Sequence, residues 1–179
     1  MTRVPDDGRT RLALREATME DHRRVDDLFA TFSLDSAASY VRFLKAHAMA
    51  LGAIESAARP ASPRLPLLKQ DIAAMGESLP SALPPADDRD DGYRWGLLYT
   101  LEGSRLGGAM LARQVGPDLP KAYLSAAHGK GEWKAFQHRL DKAAGEGDPH
   151  WLDNAIAGAR AAFALFAQAA LAQREPALG

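Results

Sequence analysis

An all-α fold follows from three observations on this 179-residue sequence. β-branched residues are scarce, runs alternating between apolar and polar residues are absent, and Ala, Leu, Arg and Glu dominate. The expected architecture is a compact multi-helix bundle, one domain over residues 1–179, because this length supports a single full core.

Residues 1–9 read as an N-terminal tail. A first helix is predicted from about Thr10 to Phe32, striped by Leu14, Ala17, Thr18, Val25, Leu28 and Phe32. Asp35 or Ser36 then caps a second helix that runs to about Ala58, with Tyr40, Phe43, Leu44, His47, Leu51 and Ile54 on its apolar face. Pro60, Pro63 and Pro66 mark a connection and a helix start, followed by Leu67, Leu68, Ile72 and Met75 on a short amphipathic segment. Residues 79–91, rich in Pro and Asp, form a surface loop. A glycine-bearing helix is predicted from about Gly92 to Val115, stopped by Gly116-Pro117. Two further helices, roughly Glu132–Ala144 and Pro149–Arg174, are separated by Gly145, Gly147 and the cap Asp148.

Composition removes several function classes. Hydrophobic residues make up 46% and charged residues 25%, ordinary values for a globular protein. A net charge of -1 gives no electrostatic case for nucleic acid or an acidic membrane surface. With no cysteine there is no disulfide, thiolate metal site or thiol nucleophile, as suits a reducing compartment. The N-terminus lacks the basic-then-apolar pattern of a secretory leader, and the near-apolar run Ala161–Ala172, broken by Gln168, is too short to span a bilayer. The expectation is a cytoplasmic protein without membrane or nucleic-acid partners.

Gly103, Gly107 and Gly108 stand in the middle of one predicted helix. Each costs that helix about 1 kcal/mol relative to Ala. Gly103 and Gly107 are four residues apart and share a face of bare backbone, on which either another helix or a planar ligand can lie. The first helix carries Arg15, His22 and Asp26 on one shoulder of its apolar stripe. At i, i+4 the Asp26 carboxylate can accept from one imidazole nitrogen of His22 and orient the other towards a metal. Arg15 lies about 10 Å up the axis at 1.5 Å per residue, a span that suits a guanidinium against a carboxylate at the rim of a porphyrin. Taken separately, a half-exposed histidine with ordinary charge pairs and a tight helix crossing account for both features. Together they supply what a haem site in a bundle needs: an imidazole on one side and a close, side-chain-free helix on the other.

The segment Leu14-Arg15-Glu16-Ala17-Thr18-Met19-Glu20-Asp21-His22 resembles the proximal-helix motif of the haem oxygenases, and Gly96-Leu97-Leu98-Tyr99-Thr100-Leu101-Glu102-Gly103-Ser104-Arg105-Leu106-Gly107-Gly108 resembles their distal helix. The likeness is nearest to the bacterial biliverdin-producing branch that serves bacteriophytochromes, and it extends through Tyr40–Leu44, His47 and Trp133–Phe136. It implies that haem is both cofactor and substrate, opened at one meso carbon to biliverdin, carbon monoxide and ferrous iron with O2 and external electrons. Among site residues it implies His22 as the iron ligand with Asp26 behind it. It also implies Gly103, Ser104, Gly107 and Gly108 as the distal wall, of which Gly103, Ser104 and Gly107 act in catalysis. Arg15, with Lys134 and His138, would face the propionates. Nothing in the sequence resembles a flavin or nicotinamide fingerprint, so a ferredoxin or reductase must supply electrons and a bacteriophytochrome is a candidate recipient of biliverdin.

Two residues depart from the family pattern. Ser104 stands where many members have an aspartate that organises distal waters, and Met19 where some have a basic residue. A hydroxyl anchors water without a carboxylate charge. The alternative expectation is therefore a non-catalytic haem carrier or sensor of the same fold. His47 reads as a hydrogen-bonded core histidine, His128 and His150 as solvated turn residues, and Asp87, Asp88, Asp90 and Asp91 as a solvated loop and helix cap. Trp95 and Tyr99 read as packing residues; Glu102 is left open between Arg105 and a neighbouring helix.

Overall fold

A computed structural model describes residues 8–175, and helices are the regular elements among them. In chain order they are α1 (Arg9–Phe29), α2 (Ala37–Ala58), α3 (Leu65–Ala74), α4 (Asp91–Ala112), α5 (Glu132–Glu146) and α6 (Trp151–Gln173). The all-α expectation therefore holds. Of the predicted tail, residues 1–7 lie outside the described residues, Gly8 caps α1 at φ 81° and Arg9 already belongs to the helix.

Three helix ends differ from the sequence reading. α1 stops at Phe29 rather than Phe32, because the Thr31 hydroxyl takes the Leu28 carbonyl and the Phe32 amide turns back to Phe29, which drops Phe32 into the core. α4 stops at Ala112, before its Gly116-Pro117 signal; the Gly116 amide is held by the Leu34 carbonyl instead. α5 runs on through Gly145 to Glu146.

α6 is the axle of the bundle, packed against α4, α1 and α2. Its length and apolar composition alone would let it cross a membrane, but one face of it packs on the other helices, with Ala155, Ala159, Ala162 and Ala169 fully buried. The α4–α6 contact is backbone against backbone. A Cβ at Gly96 would overlap the Ala155 carbonyl, and one at Gly158 would overlap the Tyr93 carbonyl. Thr100 donates to Gly96 and Ala159 carbonyls at 3.4 and 3.3 Å, which satisfies its hydroxyl inside the seam.

α3 and the segments around it are tied down by buried carboxylates. Glu55 of α2 accepts the Arg64 and Leu65 amides at 2.8 and 2.9 Å, capping α3 from outside its own sequence. Asp71 of α3, 1% exposed, accepts the Ala122 and Tyr123 amides at 3.1 and 2.9 Å. Residues 79–90 are non-helical and largely exposed, and Asp91, which the sequence reading gave to the loop, opens α4. The segment is strapped to α2 by Leu83 and Ala86 amides on the Met49 and Ala53 carbonyls, and it ends in the Asp90 cap on the Tyr93 amide.

Candidate functional site

α1 and α4 both run parallel to α6 and flank it. On the α4 side, Gly92 meets Trp151, Gly96 meets Ala155 and Ala159, and Thr100 reaches Ala159. On the α1 side, Leu14 packs with Ala155 and Ala159, and His22 stacks on Phe163 at 5.5 Å between centroids. Gly103, the next turn after Thr100, therefore stands at the height of His22 along α6.

The sequence left open what lies on the bare glycine face. Gly92, Gly96, Gly103 and Gly107 fall on one stripe of α4 about 60° wide at 100° per residue. The first two, together with Gly158, make the helix crossing. At Gly103 and Gly107 a Cβ would meet nothing within 4 Å. The crossing is thus carried by glycines that the sequence reading did not single out, and two of the three that it did single out face open space. Gly108 is corrected: it is buried with the Leu124 carbonyl 3.0 Å from where its Cβ would be, so it packs the 120s segment and does not line that space.

His22 is 64% exposed, with Nε2 3.4 Å from Asp26 Oδ2 in the expected i, i+4 pair. Its ring is supported from one side by Phe163 and is otherwise free to take a ligand. On the same side of α1 Arg15 approaches α4: burial raises the pKa of Tyr99 and the Arg15 charge works against that rise. Arg15 is thus within electrostatic range of Tyr99, which stands one turn before Gly103 on α4. The other flank of α1 is occupied, with Arg160 donating to the Ala17 carbonyl at 3.0 Å and pairing with Asp21. A flat apolar group with acidic edges fits these residues: an imidazole on one wall, bare backbone on the other, a phenylalanine floor and a guanidinium at the rim. No group of three or more His, Cys, Asp or Glu that would hold a bare metal ion occurs among the described residues.

Lys134 and His138 are exposed on α5, which packs on α1 and α4 through Phe136 and Leu140. His138 projects from the opposite side of the helix to that packed face and is not brought to the cleft; Lys134 lies nearer the flank of Asp141, which pairs with Arg11 of α1 at 3.1 Å. Two hollows of about 620 and 510 Å3 adjoin at Arg94, Trp95 and Arg139 on the α5 side of α4 and include neither His22 nor the open glycines.

Ser104 is held from behind. Arg64, 4% exposed, donates to Ser104 Oγ at 2.6 Å and to the Leu101 carbonyl at 2.9 Å. The Ser104 hydroxyl gives its single proton to that same carbonyl at 2.8 Å. Arg64 also lies 5.0 Å over the Tyr123 ring. Nothing near Arg64 in sequence marks it; only its Pro-rich neighbourhood was noted. Glu102 is resolved too: it pairs with Arg105 at 3.5 Å and with His128 Nε2 at 2.6 Å, so His128 is largely buried rather than a solvated turn residue.

No family model matches the chain. A protein described as a haem oxygenase, from Xanthomonas campestris pv. campestris (strain 8004), is 36% identical over 123 residues, which cover 63% of this chain and 70% of the relative. The chain belongs to the haem oxygenase family. A solved structure of the haem oxygenase from Neisseria meningitidis, in NO- and CO-bound forms, superposes with a TM-score of 0.75 at 26% identity over 89% of each chain. The bundle is thus a haem oxygenase fold.

Proposed function

We propose that the chain holds haem between α1 and α4 and cleaves it oxidatively at a meso carbon, releasing biliverdin, carbon monoxide and ferrous iron. The observation that carries this reading is the open backbone of Gly103 and Gly107 at the height of an accessible His22. Bound haem supplies the iron that activates O2 and is itself the substrate consumed. The protein residues bind, orient and exclude water. His22 ligates the iron with Asp26 holding its ring; a neutral imidazole donates less electron density than a thiolate would. Gly103 and Gly107 allow the α4 backbone to lie against the face of the ring, which limits the directions in which a small ligand can lean. Arg15 pairs with a propionate, with Lys134 of α5 as a second cation for the same edge. Ser104 fixes the turn through Leu101 and Arg64, and because its proton is already committed it acts here as an acceptor. Electrons come from a ferredoxin or reductase, the chain works in the cytoplasm where such carriers are reduced, and a bacteriophytochrome is a recipient for the product.

Haemin added to the protein, followed by ascorbate or a ferredoxin-type reductant in air, should bleach the Soret band as bilin absorbance grows. A stable ferrous spectrum would instead support a haem carrier or sensor, the reading that the committed Ser104 proton favours.

A further inference from the structure

We propose that His47 is a hydrogen-bond donor at the inner end of the cleft, presenting Nε2–H to a water or small oxygen-bearing ligand beside the haem, with Tyr123 as the positioning residue that fixes its tautomer. This rests on the haem reading above. His47 lies on α2, 9% exposed, among Phe29 of α1, Phe43 of α2, Phe166 of α6 and Tyr123. Its Nδ1 is 2.6 Å from the Tyr123 hydroxyl. That hydroxyl has no other hydrogen-bond partner among the described residues, and burial raises its pKa, so the phenol stays protonated; donation to Nδ1 is the arrangement that satisfies its proton. Burial first, and then the Arg64 charge, push the His47 pKa down to about 3, so the ring is neutral; with the phenol donating to Nδ1, its single proton is on Nε2.

Nε2 has no hydrogen-bond partner among the described residues, yet it is not among the side-chain atoms sealed from solvent without one. A buried histidine with one satisfied nitrogen and one reachable donor is oriented towards something. Phe43, Phe166 and Tyr123 are 1–3% exposed, whereas Phe29 is only half-buried, so the opening lies on the α1 side. Phe166 is the next turn of α6 after Phe163, the ring beneath His22. The two imidazoles therefore rest on adjoining parts of one aromatic floor. The donor is held by a fixed frame: Asp71 grips the Tyr123 amide, Arg64 covers the Tyr123 ring, and Glu55 grips Arg64.

The test uses the full chain loaded with haem, reduced, and exposed to carbon monoxide, with the C–O stretching band as readout. A donor towards the ligand lowers that frequency, and His47→Phe should raise it; His47→Gln, which keeps an N–H, should recover most of the original position. Tyr123→Phe, which frees the tautomer, should split the band into two populations. A purely structural His47 would leave the band in place in all three variants, and that result overturns the proposal. If His47→Phe does not fold, the wild-type band measured in D2O serves: a shift supports the donor and no shift sinks it. A wild-type protein that gives no haem complex would sink the haem reading itself, whereas a normal complex with an unmoved band would sink only His47.

Discussion

Replacing Gly103 and Gly107 together by alanine separates the protein's own stability from its capacity for haem. Each glycine costs a helix interior about 1 kcal/mol relative to alanine. Neither new methyl would meet an atom within 4 Å, so no clash offsets that gain. The haem-free double variant should be more stable by up to about 2 kcal/mol, a Tm rise of about 4–8 °C for a chain of this size. Haem binding should change in the opposite direction, because two methyl groups would project into the space the disc occupies. Thermal melts of the haem-free protein and Soret titration with haemin measure the two quantities on one preparation. A double variant that melts lower and binds haemin as tightly as the parent would refute the reasoning, since the open face would then be an unused consequence of packing.

Other substitutions give contrasting outcomes. Gly158→Ala, whose methyl would press on the Tyr93 carbonyl, should cost about 3 kcal/mol or more in thermal or urea unfolding. His22→Ala should alter the haem-free melt by no more than about 0.5 kcal/mol, because its pair with Asp26 is exposed, while abolishing the axial-imidazole spectrum of the ferric complex. Arg64→Met should destabilise the chain by about 2 kcal/mol through lost charged hydrogen bonds, and Ser104→Ala by less than about 1 kcal/mol, both read from urea midpoints. His47 is neutral when folded and gains a proton when unfolded at any pH between about 3 and its ordinary 6.5. Stability should therefore fall as pH drops from about 6.5 towards 3, at about 1.4 kcal/mol per pH unit from this group, and His47→Phe should remove that slope from unfolding curves.

Much of this molecule was legible in its sequence because the signals were local. Helix type and order follow from residue spacing, and the His22–Asp26 pair and the Gly103–Gly107 face are properties of single helices. What escaped depends on pairs that meet only after folding. Gly96 and Gly158 are 62 residues apart, and neither looks exceptional until the two helices are laid together. Arg64 stands unmarked in a proline-rich connection; its burial follows from Glu55 and Leu101, on different helices. His47 was recognisable as a bonded core residue, but which nitrogen was taken could not be read without Tyr123. Gly108 was grouped with its neighbours by adjacency, although a 100° step turns it to another side of α4.

The interlock of α4 with α6 meets main-chain atoms on both sides, so no change of rotamer can relieve it: the seam at Gly96 and Gly158 keeps its spacing or parts as a whole.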